Sequence, residues 1–106
     1  MAYRGKPPAI RIAGGAARSK AWVQIFADVL QTPIEVTTGT ELGALGAAIC
    51  AGVATGHFKS FESAADSMVE VAYSCSPNPS YEEIYPEKYK LYQEIIGALT
   101  PIWKKL

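Results

Sequence analysis

The chain has 106 residues, with ten Lys and Arg balancing ten Asp and Glu to a formal net charge of zero. That length suits one small domain. Charges of both signs spread along the chain exclude the basic footprint of a general nucleic-acid binder and leave no polybasic block for a membrane surface. The two cysteines, Cys50 and Cys75, are too few for a disulfide scaffold and match no zinc spacing. They are expected as unpaired, buried or half-buried thiols in a reducing compartment.

Residues 1–9 open with MAYRGKPP, polar and with two prolines, and are expected to form a flexible lead-in. No long apolar core follows the first basic residues, so this is not expected to be a signal peptide. The longest apolar run, ALGAAICAGVA, is about half of a membrane span. A soluble, cytoplasmic protein is the expectation.

Ile10 and Ile12 alternate with Arg11 and Ala13, as in a short strand that Gly14 and Gly15 end. Ser19 is placed to cap a helix. Trp22, Ile25, Phe26, Val29 and Leu30 then recur every three or four residues and predict one apolar face, with Trp22 read as core. Gln31, Thr32 and Pro33 should stop that helix. Ile34 and Val36 alternate again as a second strand. Thr40 is the expected cap of a helix from Glu41 to about Thr55. That helix carries Gly43, Gly46 and Gly52, each costing roughly 0.5–1 kcal/mol relative to alanine. The cost is explained if a neighbouring helix or a ligand packs closer than side chains permit. Gly56 suits the position just past the helix end.

Ser60 opens a third helix with Phe61, Ala64, Ala65, Met68 and Val69 as its stripe. SCSPNPS, residues 74–80, reads as a loop. Ser80 and Glu83 form a capping-box pattern, and Pro86 suits the first turn of a last helix, Glu87 to Leu99. Thr100 and Pro101 should close it. The order is strand, helix, strand, helix, helix, helix. Strand–helix–strand implies a parallel crossover. Two short strands make a poor sheet, so they should add to strands from outside the chain or pair with another copy.

A strand ending in Gly-Gly before a helix exposes backbone N–H groups at the sheet's carboxyl edge, a corner able to hold an anion or a nucleotide. The pattern is neither GxGxxG nor a P-loop. Taken alone it reads first as a plain tight turn. Asp28, Asp66, Glu82 and Glu83 read as surface or cap residues and His57 as a surface or junction histidine. No acid, base, nucleophile or metal set stands at a recognisable spacing.

Residues 10–56 strongly resemble the C-terminal domain of the FGGY family of carbohydrate kinases. IAGGAARSKAWVQIFADVLQTPIEV is similar to that family's adenosine motif with the helix and strand after it. ELGALGAAICAGVATG resembles the alanine- and glycine-rich helix that follows. The tail YEEIYPEKYKLYQEI resembles the family's closing helix in the style of xylulose kinase and other pentulose kinases.

The resemblance implies an α/β fold: part of a ribonuclease H-like (actin-like ATPase) domain, with short parallel strands, a crossover helix and C-terminal helices. Residues 10–106 would be the C-terminal part of the second of two such domains. Members move the γ-phosphoryl group of ATP to a sugar or polyol hydroxyl. By position, Gly14 and Gly15 would approach the α-phosphate and ribose, Ala16 would extend the same turn, and Ser19 would lie near the adenine. Glu41 matches an acidic residue to which no chemical role is given. The catalytic aspartate, the Mg²⁺ site and most of the sugar site lie upstream in that family. The chain is therefore expected to lack catalytic and metal-binding residues, to be inactive alone, and to self-associate through an open strand edge or bare helix faces. Its expected partners are the missing N-terminal ATPase domain and, in the full-length enzyme, the substrate. The alternative is a small structural or interaction module with no ligand.

Overall fold

The computed structural model describes residues 5–106, so the lead-in expected over residues 1–9 falls partly outside the described residues; residues 5–9 carry neither strand nor helix. Three strands form one sheet: β1 (Ile10–Ile12), β2 (Ile34–Thr37) and β3 (Val71–Cys75), in the order β1-β2-β3. β1 and β2 run parallel with Ile10 opposite Ile34 and Ile12 opposite Val36. Helix α1 (Lys20–Leu30) makes the crossover between them. Helices α2 (Leu42–Ala54) and α3 (Phe61–Met68) follow, then β3 antiparallel to β2, then α4 (Ile84–Trp103).

The third strand corrects the expected order. Val71, Tyr73 and Cys75 alternate with Ala72 and Ser74, so the period-two signal was present. The turn residues begin only at Ser76, and Ser74 and Cys75 belong to the strand. β2 is the central strand, paired on both sides, so the unpaired edges belong to β1 and β3.

The core is small. Val23 and Ala27, one turn apart on α1, meet Ile34 and Val36 of β2, with Ile10, Ile12, Phe26, Tyr73 and Cys75 packed around them. Val23 and Ile34 are fully buried, each contributing about 1.5–3 kcal/mol of apolar transfer. The predicted α1 stripe is split. Phe26 joins the core, whereas Trp22, Ile25, Val29 and Leu30 are 41–55% exposed. A three-stranded sheet is too narrow to cover so wide a face. Trp22 is therefore not a core residue. It leans on Phe26, with ring centroids 6.0 Å apart.

Asp28 is the opposite correction. It is buried, not a surface group. Its Oδ1 accepts from the Asn78 backbone N–H and from Gln24 Nε2, each at 2.8 Å. Gln24 Nε2 also donates to the Ser76 carbonyl at 3.1 Å, and the Cys75 thiol donates to Gln24 Oε1 at 2.9 Å. Gln31, in the left-handed region at the end of α1 (φ 45°), donates to the carbonyls of Asp28 and Asn78. This network ties the end of α1 to the loop after β3. Cys75 is half-buried as expected, but Cys50 is exposed on α2; both are free.

Ser19 and Ser60 cap α1 and α3 as their sequence positions suggest, accepting from the N–H groups of Trp22 and Ser63. Gly56 takes the left-handed conformation (φ 77°) after α2. Other cap expectations fail. The residue before α2 is Glu41, not Thr40, and it makes no side-chain cap bond. The Ser80–Glu83 box does not form. Asn78 instead caps a 3₁₀ turn at Pro79–Tyr81 by accepting from the Ser80 N–H, and α4 starts at Ile84. α4 also runs through Pro101 to Trp103. Pro101 has no N–H to donate to the Gly97 carbonyl, so the helix passes it at the loss of one backbone bond.

The glycines of α2 divide by environment. A Cβ on Gly52 would lie 2.8 Å from the Phe58 ring, whereas Gly43 and Gly46 face open space. Close approach by the chain's own Phe58 thus explains one glycine of three. The radius of gyration is 18.8 Å, against roughly 13 Å for a compact domain of this length. The accessible surface is 8286 Å², against roughly 5,800 Å² for a compact monomer of this mass. Much of the excess is apolar: α4 buries none of its residues, and Tyr89, Leu91, Tyr92, Ile95, Ile96 and Trp103 are 42–60% exposed. A groove of about 350 Å³ lies between α1 and α4, lined by Val29, Leu30, Tyr85, Pro86 and Tyr89.

Candidate functional site

Parallel strands deliver their carboxyl ends to the same edge of a sheet. Here β1 runs out through Ala13 into Gly14, and β2 runs out through Thr37 and Thr38 into Gly39. Gly14 has φ 89° and ψ −163°, a region that essentially only glycine occupies. The chain reverses there into a 3₁₀ turn, Gly15–Arg18. The Ala17 N–H donates to the Gly14 carbonyl at 3.2 Å. The N–H groups of Gly15 and Ala16 open the turn and have no acceptor inside it. Gly39 turns the second strand at φ 88°.

A cavity of about 120 Å³ lies between the two turns, with Ile12, Val36, Ala17 and Leu42 as its apolar floor and side. Its polar lining comes from Thr37, Thr40 and Arg18, beside Ala13, Gly14 and Gly39. Its lining residues include one arginine and no acidic residue, so its charge character suits an anionic or electron-rich ligand. Gly14 and Gly15 are exposed, and a Cβ on either would find nothing within 4 Å. Among the described residues no helix covers this corner.

The four residues singled out from sequence do not all meet the cavity. Gly14 lines it, and Gly15 and Ala16 sit exposed beside it on the same turn. Ser19 is not in the lining; its Oγ accepts from the Trp22 N–H at 3.4 Å as the α1 cap. The second turn, Thr37 to Thr40, was missed as part of the site. Its signal was the glycine of TTGT between a strand and a helix, and Thr40 was spent on an expected cap instead. His57 is exposed with its ring edge-on to Phe58. Among the described residues no group of His, Cys, Asp and Glu is arranged to hold a metal ion, and no helix is long and apolar enough to cross a membrane.

The chain pairs a mixed sheet and crossover helix with an open carboxyl-edge cavity between two glycine turns, and its structural neighbours are sugar kinases of the actin-like ATPase fold. Residues 2–55 match the model of the FGGY family of carbohydrate kinases, C-terminal domain. The chain belongs to that family. It is 32% identical to the autoinducer-2 kinase of Photorhabdus laumondii, over 93% of this chain and 20% of that protein. It is 37% identical to the erythritol kinase of Brucella abortus, over 99% of this chain and 21% of that protein. Its fold superposes on the ligand-bound xylulose kinase of Lactobacillus acidophilus with a TM-score of 0.86 at 28% identity, covering 95% of this chain and 20% of that one. The chain thus spans about a fifth of the length of the relatives it matches.

Proposed function

We propose that this chain is the C-terminal part of an ATP-dependent carbohydrate kinase and supplies one wall of the adenosine site, with no phosphoryl transfer of its own. Residues 10–106 form the end of the second ATPase domain in this reading. The observation that carries it is the open cavity at the carboxyl ends of β1 and β2, edged by Gly14 in its glycine-only conformation. At about 120 Å³ the cavity is well below the ~300–1,000 Å³ of a complete small-molecule site. A nucleotide would fill it and need a second wall, which the upstream lobe of a longer kinase would provide.

Phosphoryl transfer asks for a base at the acceptor hydroxyl, a Mg²⁺ site and donors around the γ-phosphate. No carboxylate lines the cavity, so the residues present do not fit Mg²⁺. What the chain does offer is positioning. The N–H groups of Gly15 and Ala16 would meet the α-phosphate, and the apolar floor would support the ribose and base. Ser19 acts on the site through the start of α1. The substrate is a sugar or polyol; a pentulose is the reading its tail supports. Two unpaired thiols agree with a cytoplasmic location.

Two measurements test this. In an ATP-dependent phosphorylation assay with pentuloses, polyols and glycerol, the pure chain shows no turnover; turnover would overturn the claim that the chemistry lies elsewhere. In an amide NMR titration with ADP, shifts concentrate in residues 13–18 and 37–42. Absence of shifts there up to about 10 mM would remove the adenosine wall.

A further inference from the structure

We propose that α4 is a self-association helix, pairing antiparallel with α4 of a second copy of this chain across a two-fold axis beside Glu94. This inference is independent of the adenosine reading above.

The seam is set by spacing. Tyr85, Tyr89, Tyr92, Ile96, Leu99 and Trp103 recur along α4 at intervals of 4, 3, 4, 3 and 4 residues. That is the heptad spacing by which two helices interlock their side chains. The rings of Tyr89 and Tyr92 stack, with centroids 6.2 Å apart and planes 18° apart, so these positions share one face. None of the six residues is buried by the chain itself. Glu87, Lys90 and Glu94 fall on the heptad positions turned away from the seam. A two-fold axis therefore brings no like charges together there.

The area suits a second copy. The chain exposes roughly 2,500 Å² more than a compact monomer of its mass, and a stable dimer asks for about 800 Å² from each partner. A partner of the same sequence brings its own bare seam, so one pairing covers both.

The residues also choose the direction. With the axis beside Glu94, Tyr92 faces Ile96 of the second copy, Tyr89 faces Leu99, and Tyr85 faces Trp103. Two of these layers set a ring against an aliphatic chain, the large-against-small alternation that interdigitated packing favours. A parallel pair would set tyrosine on tyrosine in three successive layers. The groove of about 350 Å³ between α1 and α4, lined by Val29, Leu30, Tyr85, Pro86 and Tyr89, lies at the end of the seam where Trp103 of the second copy arrives.

Sedimentation equilibrium of the 106-residue chain tests this, with Tyr92→Glu, Ile96→Lys, an equimolar mixture of those two, and Lys90→Glu as a control off the seam. Tyr92 and Ile96 are exposed in the single chain, so both variants should keep the wild-type circular dichroism. Each alone should weaken the dimer about 10-fold or more, because a charge then meets an apolar side chain; Lys90→Glu should leave it unchanged. The mixture should recover association, since the introduced carboxylate and ammonium face each other only in the antiparallel register. A wild-type chain that stays monomeric at about 1 mM would overturn the proposal and leave the seam to a different polypeptide. Undiminished association in both seam variants would move the contact to another surface and overturn it too. Weakened variants with no recovery in the mixture would refute the antiparallel pairing.

Discussion

Replacing each glycine of the Gly14–Gly15 pair by alanine separates what the fold needs from what the ligand needs. Gly14 has φ 89° and ψ −163°, and holding an alanine there costs about 1–3 kcal/mol. Nothing lies within 4 Å of the new Cβ, so the whole penalty is backbone strain. Taking about 2 kcal/mol and an unfolding entropy of roughly 2.1 cal/mol/K per residue, Gly14→Ala should lower the melting temperature by roughly 9 °C. Gly15 has no positive φ and equally open space. Gly15→Ala should therefore shift stability by less than about 0.5 kcal/mol, as surface changes do. The ligand reverses the order of interest. A methyl at Gly15 stands where a phosphate would approach the backbone, so Gly15→Ala should weaken ADP binding at least 5-fold in a chain of normal stability. Differential scanning calorimetry and the ADP titration give the two readouts. A Gly15→Ala chain that melts normally and binds ADP as wild type would refute the argument that the glycine serves a ligand.

Asp28→Ala should destabilise the chain by about 2–4 kcal/mol, because it leaves the Asn78 N–H and Gln24 Nε2 without their buried charged acceptor; urea denaturation measures it, and a loss under 1 kcal/mol would show that the network is dispensable. In α2, Gly43→Ala should stabilise by about 0.5–1 kcal/mol, since the site is open and helical. Gly52→Ala should instead destabilise, as its Cβ would meet the Phe58 ring at 2.8 Å; the sign difference in urea midpoints is the test. Sedimentation velocity should show concentration-dependent association of the wild-type chain through its bare apolar helices, reduced by Ile96→Glu. A monomer at millimolar concentration would contradict that expectation.

Local chemistry was legible in the residues themselves. The strand–glycine–helix corner at Ile10–Ser19, the stop at Gln31–Pro33 and the caps Ser19 and Ser60 depend on neighbours a few positions away, and those neighbours are in the sequence. The resemblance to a kinase family rested on the same local segments, and the family match bears it out. Tertiary packing alone decided the rest. Whether Trp22 or Val23 faces the sheet depends on how wide the sheet is, which no single-helix period contains. Asp28 became a buried acceptor because a loop 50 residues on in the chain lies over it. The cavity needs two turns at once, and only the parallel pairing of β1 with β2 brings Gly39 and Thr40 to face Gly14 and Arg18. A sequence states which turns the backbone is able to make; the register between strands determines which of them share one space.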